Sequence, residues 1–236
     1  MNKEKISILM SNYNNGRYLE ESIHSVLEQT SKRWDLYICD DASDDDSRNI
    51  LNKYSKHNNI FIFHNEQNLG YSRILHRLIQ LSSNDIAGIL DSDDALEPDA
   101  IEIVIDFYDT HPEAGFVYTN FSICNENLKK KKAGFSRLLS HGKTNLEKCC
   151  VSHFKTFRKS IYQKTEGLDA TITCAVDKDL IYKMEEVTKF HFINKQLYLY
   201  RGLPKSLSKG QDSRKKIHDS VLYIQKKASQ RRMKND

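Results

Sequence analysis

Three carboxylates, Asp91, Asp93 and Asp94, crowd the end of an apolar run in IAGILDSDDALEPDAI, residues 86–101. Like charges this close repel. A chain that keeps them together either places a cation between them or ends a strand in a solvated turn. Asp91 and Asp93 are two apart, and if strand geometry runs on to Asp93 both side chains point the same way. Two converging carboxylates suit Mg²⁺ or Mn²⁺ shared with a diphosphate, because such sites use one or two protein carboxylates and complete the shell with phosphate oxygens and water. Asp91 and Asp93 are therefore candidate metal ligands, with an Asp-rich turn as the plain alternative.

The elements that must position this cluster are legible as alternating segments. KISILM, WDLYICD, NIFIFHN and DIAGILD read as strands. The stretches between them carry helical spacing: Leu19, Ile23, Val26 and Leu27 in one, Leu75, Leu78 and Ile79 in another. Ser43 and Asp46 are spaced as a capping box, and Pro98 sits where the first turn of a fourth helix is expected. Four βα units predict a parallel sheet covered by helices, with ligands at the carboxyl ends of the strands. Three of those ends are polar (SNYNN, DDASDDDS and DSDD) and should converge on one crevice. Beyond residue 114 the pattern becomes mixed. GFVYTN and FSICNEN read as a pair of strands, HFKTFRKSIYQ as strand then helix, AVDKDLIYKMEEV as a helix and FHFINKQLYLYRG as a strand.

The chain has 236 residues, 39% of them hydrophobic and evenly spread, which supports a folded core. Its five cysteines (39, 124, 149, 150 and 174) form no CxxC pair and no zinc spacing, and read as reduced thiols of a cytoplasmic protein. The apolar stretch Ile6 to Met10 is too short for a signal-peptide core or a membrane span. The net charge of +4 is unevenly placed, in KKKK at 129–132 and in the tail from Lys209. The tail has two readings. It is a helix packed on the domain, or it lies peripherally on the inner membrane face near a lipid-linked acceptor, through Lys215, Lys216, Lys226, Lys227, Arg231 and Arg232. No nucleic-acid-binding motif accompanies the charge.

These segments together resemble family 2 glycosyltransferases. KISILMSNYNNGRYLEESIHSVLEQT is similar to the opening nucleotide-binding unit, WDLYICDDASDDDS to the second strand, NLG at 68–70 to a recurrent loop and ILDSDDALEPDAIE to the DxD segment. HFKTFRKSIYQKTEGLDATITCAVDKDLIYKM is similar to the transferase domains of bacterial hyaluronan and chondroitin polymerases. The resemblance covers about residues 5–208 and implies a GT-A fold, a Rossmann-like, mainly parallel mixed sheet flanked by helices, over 1–208, with a basic helical extension over 209–236. It implies that Ser11 and Tyr13 border the base of a UDP-sugar, that Asp41 contacts uracil, and that Asn68 lines the donor site. Asp91 would face the ribose or a metal-bound water, and Asp93 would bind Mn²⁺ or Mg²⁺ through the diphosphate. For each of these the alternative is loop or capping hydrogen bonding.

Asp177 matches the family's general base: a hydroxyl attacking an anomeric carbon must shed a proton, and a placed carboxylate takes it. Helix capping is its alternative. Asp179 should point elsewhere, to solvent or to a structural partner. The implied activity is inverting, metal-dependent transfer of a hexose or N-acetylhexosamine from a UDP-sugar to a glycan or lipid-linked glycan in bacterial surface-polysaccharide synthesis.

The sequence departs from the family in places. Leu203 and Pro204 stand where many relatives have the histidine of YRxH, leaving Arg201 or Lys205 to supply charge to the diphosphate. Leu75 and His76 replace a common Arg-Asn pair, and His76 reads as a packing or surface histidine. No QxxRW is present, which favours single-sugar addition. His153 is placed either near the acceptor or at the core edge, and Trp34 in the core. Two other functions compete: a catalytically silent nucleotide- or glycan-binding protein, and a sugar nucleotidyltransferase, which would want more glycine than SNYNNGRY offers.

Overall fold

The computed structural model describes residues 3–203 and 211–235, with the side chains of 211–213 and 235 left aside. In chain order the elements are β1 (Ile6–Asn12), α1 (Gly16–Leu27), β2 (Trp34–Asp40), α2 (Ser47–Asn52), β3 (Ile60–His64), α3 (Tyr71–Leu81), β4 (Ile86–Ile89), β5 (Ala95–Leu96), α4 (Ala100–Thr110), β6 (Phe116–Cys124), β7 (Lys130–Ala133), β8 (Lys155–Arg158), α5 (Lys159–Tyr162), α6 (Val176–Glu185), β9 (Phe190–Arg201) and α7 (Gln211–Asn235).

The sheet runs β3-β2-β1-β4-β8-β6-β9-β5, with β7 paired to β6. The first half, β3-β2-β1-β4, is parallel as the βα pattern predicts. The second half is mixed: β8 is antiparallel to both β4 and β6, whereas β6 and β9 run parallel. Residue alternation along β1 sorts the core. Ile6, Ile8 and Met10 face α1 and α4, while Leu9 faces the opposite layer, where α3, α6 and α7 pack. The predicted helix faces pack inward: Leu19, Ile23 and Val26 on α1 are buried and Leu27 is partly buried, and Leu75, Leu78 and Ile79 on α3 are buried. Trp34 is core, 2% exposed. Gly88 lets β4 approach β8, because a β-carbon there would lie 2.9 Å from the Phe154 ring.

Several expectations are corrected. GFVYTN and FSICNEN form one nine-residue strand, β6, and the lysine run pairs antiparallel with its C-terminal end as β7. Lysines suit that position because β7 lies at the edge of the sheet, where charge discourages pairing with other chains. The Ser43–Asp46 capping box does not form. Ser43 Oγ donates to Asp40 at 2.6 Å, and Asp46 accepts from Asn49. Pro98 precedes α4, whose cap position is Asp99. Strand geometry stops at Ile89, so Asp91 to Asp94 form a turn closed by Asp94 N donating to Asp91 O at 3.0 Å.

Asp179 takes its structural alternative. It is 2% exposed, accepts a 2.8 Å hydrogen bond from Lys183 Nζ, and accepts another from Asp169 N. Removing one member of a buried pair strands the other charge, at a cost of about 3–5 kcal/mol. Asp179→Ala should lower unfolding stability by about that amount in urea titration; a change below about 1 kcal/mol would show that the pair is not holding α6 to the 167–169 loop.

The tail takes the packed reading along one face. Ile224 and Ala228 enter the core, and Arg231 and Arg232 turn inward onto Glu186 and Glu185 at 2.8 Å each. Those two arginines are thus committed to the domain. Lys215, Lys216, Lys226 and Lys227 remain exposed. Lys205 lies outside the described residues. All five cysteines are free thiols, and no helix among the described residues is long and apolar enough to cross a membrane.

Candidate active site

The three polar strand ends do converge. Asn12 at the end of β1 donates to Asp40 at the end of β2 at 2.8 Å, and Asn14 N donates to Ser43 Oγ at 2.9 Å. Asn15 donates to Ser92 Oγ at 3.0 Å, which ties the first loop to the acidic turn. Asp45 closes the arrangement by accepting from Gly16 N at 2.7 Å, placing negative charge at the N-terminus of α1. Ser11 is half-buried on β1, opposite Cys39. Tyr13 follows it, 49% exposed.

Asp41 is 2% exposed and already engaged. It accepts from Asn65 Nδ2, Leu69 N and Gly70 N, each at 2.8 Å. Those bonds fix the 65–70 loop and hold the exposed Asn68 at its rim. The loop-bonding alternative for Asp41 is therefore realised. Its expected contact with a base would have to use the remaining lone pair of Oδ2. Asp41→Ala should loosen this loop, seen as faster amide exchange at Leu69 and Gly70; unchanged protection there would remove Asp41 from that role.

The carboxylates of the opening motif divide their work. Asp94 is 1% exposed and accepts from the Tyr198 hydroxyl at 2.8 Å and from Arg201 N at 2.7 Å. Burial, then the charges of Asp93 and Asp91, push its pKa well up. Asp94 is a brace inside the turn. Asp91 and Asp93 lie at the crevice. Burial raises the Asp91 pKa, the Lys155 ammonium opposes that rise, and the Asp177 carboxylate adds to it. Burial and the Asp91 charge push Asp93 up to about 6. Asp177, on the first turn of α6, is thus near enough to Asp91 to repel it.

Three groups that sequence reasoning passed over complete the cluster. The Tyr71 hydroxyl, at the start of α3, hydrogen-bonds Asp91 and feels Asp177 and Asp93 as well; burial and these charges raise its pKa well up. Lys155 on β8 is 4% exposed, and its Nζ donates to Ser152 O at 3.0 Å. Tyr198 accepts from Asp91 N at 3.2 Å. Tyr71 had a signal, since it opens a helix directly after NLG. Lys155 had none, because only the insertion of β8 beside β4 brings it here.

Asp177 is not the capping residue of α6. That position falls on Ala175, held at φ 57° in the left-handed region. Such a conformation costs an alanine roughly 1–2 kcal/mol, and it presents Asp177 within the first helical turn. His153 stacks on Tyr198 with centroids 4.5 Å apart and on Tyr200 at 5.5 Å. Burial, aided by Lys155, pushes its pKa well down, so it is a neutral, core-edge ring behind the turn. His76 is exposed and lies 3.1 Å from the Tyr162 hydroxyl, a packing role as expected.

Arg201 is 2% exposed. Its guanidinium donates to Asp93 O at 2.5 Å, to Glu126 O and to Glu21 Oε2 at 2.6 Å, and covers the Tyr18 ring at 4.6 Å. It braces the turn from behind, and its charge reaches a diphosphate only through that turn. A cavity of about 230 Å³ between the loop after α5, α6 and α7 lies elsewhere, lined among others by Lys183, Glu186 and Arg231. Those three charges are already paired, Lys183 with Asp179 and Arg231 with Glu186.

The sequence profile described as glycosyl transferase family 2 matches residues 7–165, the stretch that carries β1 to β8 and the acidic turn. The chain belongs to glycosyl transferase family 2. Among relatives in that family, chondroitin synthase of Escherichia coli is 31% identical over 201 residues, covering 82% of this chain and 28% of the relative. Hyaluronan synthase of Pasteurella multocida is 28% identical over 197 residues, covering 82% of this chain and 20% of the relative. The chain therefore spans less than a third of the length of these two relatives. The crystal structure of S. aureus TarS 1–349 in complex with UDP-GlcNAc superposes with a TM-score of 0.77 at 17% identity, covering 93% of this chain and 65% of that one. The family 2 domain here has a GT-A fold, with α7 added at its C-terminal end.

Proposed function

We propose that the chain is an inverting, metal-dependent glycosyltransferase that moves a hexose or N-acetylhexosamine from a UDP-sugar to a hydroxyl of a glycan or lipid-linked glycan in bacterial surface-polysaccharide synthesis. The observation that carries this reading is the meeting of Asp91, Asp93 and Asp177, from two separate parts of the chain, around Tyr71. The relatives and the UDP-GlcNAc complex of the structural neighbour support a nucleotide-sugar donor.

Asp91 and Asp93 suit Mg²⁺ or Mn²⁺. They offer oxygen only, and burial first, then a neighbouring carboxylate (Asp177 for Asp91, Asp91 for Asp93), raises their pKa values, so the ionised pair is costly without a cation even with Lys155 and Arg201 opposing the rise. Among the described residues no three His, Cys, Asp or Glu side chains gather as a metal site, so diphosphate and water would have to complete the shell of a cation held by Asp91 and Asp93. A bound cation would offset the charge that grows on the departing diphosphate. Ser11, Tyr13, Asp41 and Asn68 line the route from the β1 and β2 ends, where the nucleoside would lie. Asp177 takes the proton of the attacking hydroxyl. Attack from its side of the sugar, opposite the leaving UDP, inverts the anomeric carbon in one displacement.

The test is hydrolysis of UDP-GlcNAc and a panel of other nucleotide sugars with and without Mn²⁺. Metal-dependent release of UDP supports the reading. Tight UDP binding with no turnover of any donor would favour a silent binding protein instead, the reading that the missing YRxH histidine motivates.

A further inference from the structure

A second surface has no part in the chemistry above. Residues 129–143, KKKKAGFSRLLSHGK, carry Lys129 to Lys132, Arg137 and Lys143 and no acidic residue. Lys129 to Lys132, Arg137 and Lys143 are all exposed. Among them stand Phe135, 56% exposed, and Leu138, 68% exposed. Protection of a sheet edge accounts for the lysines of β7. It does not account for two large apolar side chains held out in water next to them.

The chain goes to some length to present Phe135. Gly134 N donates to Phe121 O at 2.7 Å, and the Phe121 ring fills the space a side chain at Gly134 would need. Phe135 then rests edge-on against Phe121, with centroids 5.5 Å apart. The same loop runs on along α6: Asn145 donates to Glu185 at the far end of that helix at 2.7 Å, and further on the Cys149 thiol feels the charge of Asp177 in its first turn.

We infer that the β7 edge and the loop after it, through Lys129, Lys131, Lys132, Phe135, Arg137 and Leu138, form a docking surface for an anionic lipid membrane. Cations interleaved with exposed apolar side chains match a negatively charged headgroup layer over acyl chains. An acidic glycan would use the cations but gain little from Phe135 and Leu138. Lys130 is excluded from the set because it pairs with Glu97 at 2.5 Å. The surface lies on the loop that reaches α6, so docking would bring the crevice to the membrane, where a lipid-linked acceptor is presented. That purpose rests on the proposed function; the binding itself does not.

The test is co-sedimentation of the full chain with vesicles of phosphatidylcholine containing one-third phosphatidylglycerol, against phosphatidylcholine alone. Binding should require the anionic lipid. Lys131→Glu with Lys132→Glu should weaken it by at least about fivefold for each lysine. Phe135→Ser with Leu138→Ser should also weaken it, while Lys215→Glu with Lys226→Glu on α7 should leave it nearly unchanged. All of these side chains are exposed, and unaltered thermal melting checks that each variant folds. No binding to the anionic vesicles, or binding lost only in the α7 variant, would overturn the inference. So would a pattern in which the apolar pair is dispensable while heparin competes fully, which would assign the cations to a polyanionic glycan.

Discussion

Asp177→Asn abolishes sugar transfer while UDP affinity stays nearly unchanged. A positioned carboxylate acting as general base contributes roughly 10²–10⁴ in rate, and the amide cannot accept the proton. The variant keeps the shape of the side chain. It also removes a charge that repels Asp91, so donor binding has no reason to weaken. Single-turnover transfer and UDP calorimetry measure the two quantities separately. Preserved transfer would reject Asp177 as base, and equal loss of binding and transfer would make it a donor contact instead.

Asp93→Ala removes the Mn²⁺-dependent part of UDP binding and lowers transfer by roughly 10²-fold or more, since a cation at a leaving diphosphate is worth several kcal/mol in the transition state. Asp94→Asn behaves differently. Asp94 holds the Tyr198 hydroxyl and Arg201 N inside the turn, so its loss is expected chiefly as a lower melting temperature. Calorimetry of UDP with and without Mn²⁺ separates the two. Undiminished metal dependence in the Asp93 variant would remove Asp93 from the ligand set.

The parallel half of the fold was legible because its strands and helices are short, regular and punctuated by polar turns. The mixed half was less so. Asn120 and Ser122 interrupt the apolar run of β6, so it reads as two strands, whereas the structure keeps one strand by register shifts against β9 between Thr119 and Phe121. The lysine run gives no strand signal at all; it becomes β7 because β6 offers it an edge.

The site divides along the same line. Asp91, Asp93 and Asp177 announce themselves by residue type and setting. Tyr198 and Lys155 do not, because topology rather than spacing brings β9 and β8 to the end of β4, and Tyr71 is marked only by following NLG at the start of α3. Arg201 shows the converse. A lone arginine at a strand end reads as a charge offered to a ligand, but Glu21, Glu126 and the backbone of the acidic turn surround it.

The most direct test is a crystal structure with UDP-GlcNAc and Mn²⁺. The account predicts the cation on Asp93, with Asp91 beside it, bridging to the diphosphate, and the anomeric carbon between that cation and the Asp177 carboxylate. A nucleotide bound away from the β1, β2 and β4 ends, or a sugar with its open face turned away from Asp177, would contradict it.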